Sequence, residues 1–134
     1  MRVRAYSEAD LNELRRIHAR QGFEYAFPDL ADPIFVSKLV VEDEGGRAVM
    51  ASLARLTCEI YLLADPEAGD PRQRYARMLQ LHRAAEQDLL SRGLDDAHAW
   101  LPPPIAKRFG RRLEGLGWVR DDAWTPYCHR LREK

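Results

Sequence analysis

Two apolar, β-rich runs separated by a glycine turn constrain this chain more than any other feature. Residues 34–42, IFVSKLVVE, concentrate Ile, Phe and Val and predict a strand. Glu44-Gly45-Gly46 supplies a hairpin turn, and Ala48–Ala54 predicts the strand that returns. A sheet built on this hairpin needs helices to cover it. One is offered upstream. Val3–Tyr6 predicts a short strand, and Ser7-Glu-Ala-Asp10 has the spacing of a capping box. Leu11, Leu14, Ile17 and His18 then recur at helical spacing, so residues 8–21 predict an amphipathic helix closed by Gly22.

Downstream, Cys58-Glu-Ile-Tyr-Leu-Leu63 is apolar on both faces and predicts a central strand. The link from the hairpin, Arg55-Leu56-Thr57, holds no Gly, Pro or Asn and marks its boundary poorly. Asp65–Pro71 is a loop. Residues 72–92 predict a long helix with an apolar face that includes Tyr75, Met78, Leu79 and Leu89, ending at Gly93. Ala97–Leu101 predicts a short strand. Pro102-Pro-Pro104 suits the start of a helix running to about Leu116. Trp118–Arg120 and Pro126–Leu131 predict a last strand pair. The predicted order is β-α-β-β-β-α-β-α-β-β. That is an α+β fold, layered α/β/α, with a mixed, mostly antiparallel central sheet and helices on both faces.

At 134 residues the chain is read as one domain, residues 1–134, able to bury a core without disulfide or metal staples. No run of apolar residues is long enough for a membrane span, and the opening MRVRAYSEADLNELRR lacks the apolar core of a secretory signal. A cytoplasmic location is therefore expected. Cys58 and Cys128 read as small core hydrophobes in a reducing compartment. His18, His82, His98 and His129 are scattered without ligand spacing, so no metal is expected.

The net charge of zero hides an asymmetry. Residues 1–70 hold 8 basic and 13 acidic side chains, net −5, and residues 71–134 hold 13 and 8, net +5. The excess gathers at Arg72, Arg74, Arg77 and Arg83, then at Lys107, Arg108, Arg111 and Arg112. No aromatic residues interleave with these arginines, so nucleic acid is not the expected partner. Solvated helix faces or a small phosphate-bearing ligand account for them.

With its elements in this order, the sequence resembles the GNAT superfamily of acyl-CoA-dependent N-acetyltransferases over nearly its whole length. Val3-Arg-Ala-Tyr-Ser-Glu-Ala-Asp-Leu11 is similar to the family's opening strand and helix. Glu59-Ile-Tyr-Leu-Leu-Ala-Asp-Pro-Glu67 is similar to the strand ending in Val-x-Pro-Glu before the cofactor loop. Phe109-Gly-Arg-Arg-Leu-Glu-Gly-Leu-Gly-Trp118 is similar to the helix ending in Leu-Gly-Phe. Compact proteins of this look are also encoded by phages and prophages, which extends the expected setting to a bacterial or phage-infected host and to a virion.

The resemblance implies acetyl-CoA as cofactor. Its diphosphate would lie on backbone amides at the start of the long helix, with Arg72, Arg74, Tyr75, Ala76 and Arg77 around it. The amides near Leu62 and Leu63 would polarise the thioester carbonyl. It implies Glu59 as the base, with Tyr61 and Tyr127 as candidate proton donors, because amine acylation needs both a base and an acid. Phe23, Tyr25 and Phe27 fall where the family builds its acceptor wall, and equally suit core capping or docking of a protein. The sequence departs from the family pattern at three places. Pro71 stands for the leading Arg or Gln of the cofactor signature, Arg74 for its central glycine, and Leu113 for the usual acid tyrosine.

Two functions follow. One is transfer of an acyl group from acyl-CoA to an amine. The other is a catalytically inactive binding or structural protein that keeps the fold, pairs with a protein partner or itself, and serves as a subunit of a larger assembly.

Overall fold

A computed structural model describes residues 1–132. It is a mixed α+β structure. Its elements are β1 (Arg2–Ala5), a 3-10 turn (Glu8–Asp10), α1 (Leu11–Gln21), β2 (Phe35–Glu42), β3 (Ala48–Arg55), β4 (Cys58–Glu59), α2 (Pro71–Ser91), β5 (Ala97–His98) and α3 (Pro103–Gly115). The chain divides into two compact units. One comprises residues 1–62 and 84–98, and the other residues 63–83 and 99–134. The sequence charge follows this division: the first unit carries nine basic and 14 acidic side chains, the second 12 and seven.

The first unit is organised by the hairpin. β1, β2 and β3 form an antiparallel sheet in that order, with Val41 opposite Val3 on one side and Met50 on the other. The turn between β2 and β3 is held by Asp43. Its carboxylate accepts the Gly45 and Arg47 amides, both at 3.0 Å, and Gly46 takes a φ of 81°, which glycine adopts without strain. α1 packs on β3. Leu14 from α1, Leu30, Val40 and Ala48 form the buried centre, with Leu11, Ile17, Phe27 and Leu53 packed around it. Val40 is wholly shielded from solvent. Each large aliphatic side chain buried there contributes about 2 kcal/mol.

Ser7 and Asp10 cap the entry to α1, and Gly22 closes it in the left-handed region at φ 72°. The buried Asp10 also receives Arg4, whose two terminal nitrogens donate to its two oxygens at 2.8 and 2.7 Å. The same guanidinium donates through Nε to Glu42 at 2.8 Å. One arginine thus ties β1 to α1's cap and to the end of β2. The bidentate fork satisfies a carboxylate that would otherwise be costly to bury.

Several expectations are corrected. The central strand over residues 58–63 stops at Glu59, and β4 pairs in parallel with β5 instead of joining β3. Arg55 grips Asp95 and Asp96, which draws the start of β5 alongside Cys58 and Glu59. After the Ile60 amide bonds the His98 carbonyl, Tyr61 and Leu63 are exposed. The strand predicted over residues 97–101 is correspondingly short. The described sheets therefore do not form one central layer, and α1 is the helix seen to cover the three-stranded sheet.

The last strand pair is not formed among the described residues, and residues 118–132 are irregular. Arg120 pairs with Asp122, and the Asp121 carboxylate accepts the Ala123 amide. Trp118 Nε1 donates to His82 Nε2 of α2 at 2.9 Å. Pro126 lacks a donor for any ladder. Finally, Cys128 is exposed and Cys58 half-buried, so only the latter resembles the expected core cysteine.

Asp10→Ala should destabilise the protein by about 2 kcal/mol, the scale of a charged hydrogen bond left unmade. The Arg4 hydrogen bonds hold the Asp10 carboxyl down at about 2, against an ordinary 3.8. Its stabilisation is therefore complete above 3.8 and lost as pH falls towards 2. Denaturant unfolding of both proteins should show the gap between them closing over that interval; a constant gap would contradict the pairing.

Candidate functional site

α2 begins on a capping box read from residues 70–73. The Asp70 carboxylate accepts the Gln73 amide at 2.9 Å, and the Gln73 side-chain oxygen accepts the Asp70 amide at 2.9 Å. Pro71 fits the first helical position, where no amide partner is needed. Two arginines then turn back onto the preceding loop. Arg74 donates to the Gly69 carbonyl at 2.6 Å and Arg77 to the Ala68 carbonyl at 3.0 Å. Gly69 sits at φ 82°, which favours glycine, and a Cβ there would lie 2.6 Å from the Gln73 side-chain oxygen and displace that flexible end.

This closure alters the expected cofactor cradle. A helix N-terminus attracts an anion through bare amides and the dipole. Here the anion is the protein's own Asp70. Arg74, expected beside the cofactor's diphosphate, instead donates to the Gly69 carbonyl. Leu62 and Leu63 lie in no strand, and Leu63 is 92% exposed.

A different basic surface opens beside this turn. Arg72 and Tyr75 of α2 share an open cavity of about 490 Å³ with Arg111, Arg112 and Gly115 of α3. None of the three arginines has an ion-pair or hydrogen-bonding partner among the described residues. Planar guanidinium groups converging from two helices suit a phosphate. Arg72 and Tyr75 were legible from the sequence as ligand candidates. Arg111 and Arg112 were legible only as a charge cluster, because the fold, not the spacing, puts them on the same cavity.

In the first unit, Glu59 ends β4 and pairs in register with His98. The Glu59 carboxylate, as a neighbouring acceptor and then through its charge, raises the Tyr61 phenol above its ordinary value. Base and acid candidates are thus two positions apart in the chain, both exposed to solvent. Tyr127 belongs to the irregular segment after α3 and is 93% exposed.

The aromatic segment after α1 divides. Phe27 packs against the core, with the Arg15 guanidinium 5.8 Å from its ring centre. Phe23 and Tyr25 stack with centroids 5.6 Å apart and remain about half exposed. His18 meets Tyr25 and Phe27 edge-on, and its Nε2 is buried without a hydrogen-bond partner among the described residues. Among the described residues, no group of three His, Cys, Asp or Glu side chains is placed to hold a metal, and no helix is long and apolar enough to cross a membrane.

Comparison of the chain with family models, curated proteins and solved structures returns no match.

Removing the cap through Asp70→Ala should cost about 1 kcal/mol, the usual worth of an N-cap carboxylate. Gly69→Ala should cost at least as much, through strain at positive φ and the displaced Gln73. Helix content and unfolding midpoint, compared by circular dichroism, check both. A neutral Gly69→Ala would contradict this loop geometry.

Proposed function

We propose that the chain is an N-acyltransferase of GNAT type, acting on an acyl-CoA and an amine through Glu59 and Tyr61. The reading rests on Glu59 and Tyr61 lying two positions apart at the end of β4, where the carboxylate acts on the phenol and raises it above its ordinary value. An amine nitrogen attacking a thioester carbonyl must lose a proton, and the departing sulfur must gain one. Glu59 accepts the first proton, the carbon–sulfur bond breaks, and Tyr61 supplies the second. The action of the carboxylate on the phenol also couples their states. The Glu59 negative charge holds the proton on Tyr61, and protonation of Glu59 removes that hold as the thiolate develops. A proton passed from Glu59 back to Tyr61 resets the pair.

Within the second unit by itself, Arg72, Arg111 and Arg112 suit phosphate groups such as those of coenzyme A, because the Asp70 carboxylate already holds the Gln73 amide at the start of α2. Ala76 is the one position of the family's cofactor signature kept here.

A second reading is favoured by the Asp70–Gln73 closure itself. A chain of this fold with its helix terminus sealed by its own carboxylate fits a binding protein or assembly subunit that has lost the cofactor. Acetyl-CoA separates the two readings. A ligand that binds only the folded state raises the melting temperature. The transferase reading expects such a rise at millimolar acetyl-CoA, retained in Glu59→Gln. It also expects thiol release with a panel of primary amines to fall about 10²- to 10⁴-fold in that variant. No rise, and no thiol release, would overturn the transferase reading in favour of the second.

A further inference from the structure

A separate cavity of about 450 Å³ lies in the first unit, between the start of α1, the residue 28–31 segment and β2. It uses none of the residues assigned above to acyl transfer. Four charged side chains line it: Glu8 and Arg15 from the 3-10 turn and α1, Asp29 from the loop, and Lys38 from β2. They are balanced, two of each sign, yet none forms an ion pair among the described residues. Glu8 and Arg15 are seven positions apart, almost two helical turns, which keeps them from neutralising each other directly.

The cavity is arranged rather than incidental. Lys38 is half-buried and is fixed by donating to the Leu30 carbonyl at 2.7 Å, with its ammonium 5.4 Å from the centre of the Tyr6 ring. Burial, then the charges of Glu8 and Asp10, raise the Tyr6 hydroxyl, while Arg15 opposes them, so both ends of the charge set act at one phenol. Leu11, Pro28 and Ala31 supply apolar wall between the charges. Cavities of roughly this size admit small molecules, oriented by a few polar groups.

We propose that this cavity binds a small aliphatic zwitterion of amino-acid size. Its carboxylate pairs with Arg15 and Lys38, its ammonium with Glu8 and Asp29, and its side chain lies on Leu11 and Pro28. Such a ligand satisfies both pairs of charges at once. A simple anion would leave the carboxylates unpaired beside it, and a simple amine would leave the cations so.

L-Leucine is the probe, with 4-methylpentanoate and 3-methylbutan-1-amine as single-ended analogues, tested on the full chain by thermal shift without any acyl donor. L-Leucine should raise the melting temperature and shift the Asn12 and Ala31 amide resonances, and neither analogue should match it. Glu8→Gln and Arg15→Gln should each abolish the rise. No effect of L-leucine, or an equal effect of either analogue, would overturn the proposal. So would a rise retained in both variants. Should a variant fail to fold, the comparison of the three ligands on the unaltered chain decides alone. Because no acyl donor is present, the outcome is independent of the transferase reading.

Discussion

The first turn of α2 can hold one anion, and Asp70 is already there. This single occupancy limits where the second unit can hold an external anion. A helix terminus concentrates its partial positive charge within one turn, so a bound diphosphate and a capping carboxylate compete for the same amides. With the carboxylate supplied by the chain, Gln73 completes the seal, and Arg74 and Arg77 are spent on the carbonyls of the approaching loop. Arg72, Arg111 and Arg112, which line one cavity, remain open to an external anion. The proposed donor site is moved there by exclusion at the amides as much as by attraction to the guanidinium groups.

The first unit is built on a different economy of charge. Its small apolar centre around Val40 is accompanied by a buried carboxylate, and Arg4 makes that burial tolerable by bonding it from β1. The same arginine reaches Glu42, so the sheet edge, the helix cap and the end of the hairpin share one guanidinium. Arg55 plays a comparable part at β5 through Asp95 and Asp96. Long-range ion pairs of this kind fix the places where strands meet, while Leu14, Leu30 and Val40 supply the hydrophobic stabilisation.

Local signals made much of this legible in advance. The hairpin was readable because Glu44-Gly45-Gly46 interrupts two β-branched runs. α1 was readable from Ser7, the Leu11–Leu14–Ile17 spacing and Gly22, and α2 and α3 from their periodicity and flanking Pro and Gly. What could not be read was pairing. Cys58–Leu63 has the composition of a central strand, yet a strand exists only where a partner meets it, and β5 meets it over two residues. Residues 118–131 carry Trp, Val and Tyr, but Pro126 and the Asp121–Asp122 turn leave them without a ladder, which removes Tyr127 from any strand beside Tyr61. For the candidate site, Glu59 and Tyr61 are two apart in the chain and could be singled out directly. The basic cavity could not, since α2 and α3 are separated by β5 in sequence.

A titration of isotopically labelled protein with coenzyme A, followed by amide resonances, tests the central claim most directly. With Asp70 holding the α2 terminus, the largest shifts should fall at Arg72, Tyr75, Arg111, Arg112 and Gly115, and the Gln73 amide should stay in place. Movement centred on Gln73 and Gly69, with the α3 arginines unmoved, would mean that the ligand displaces Asp70 and would contradict the account.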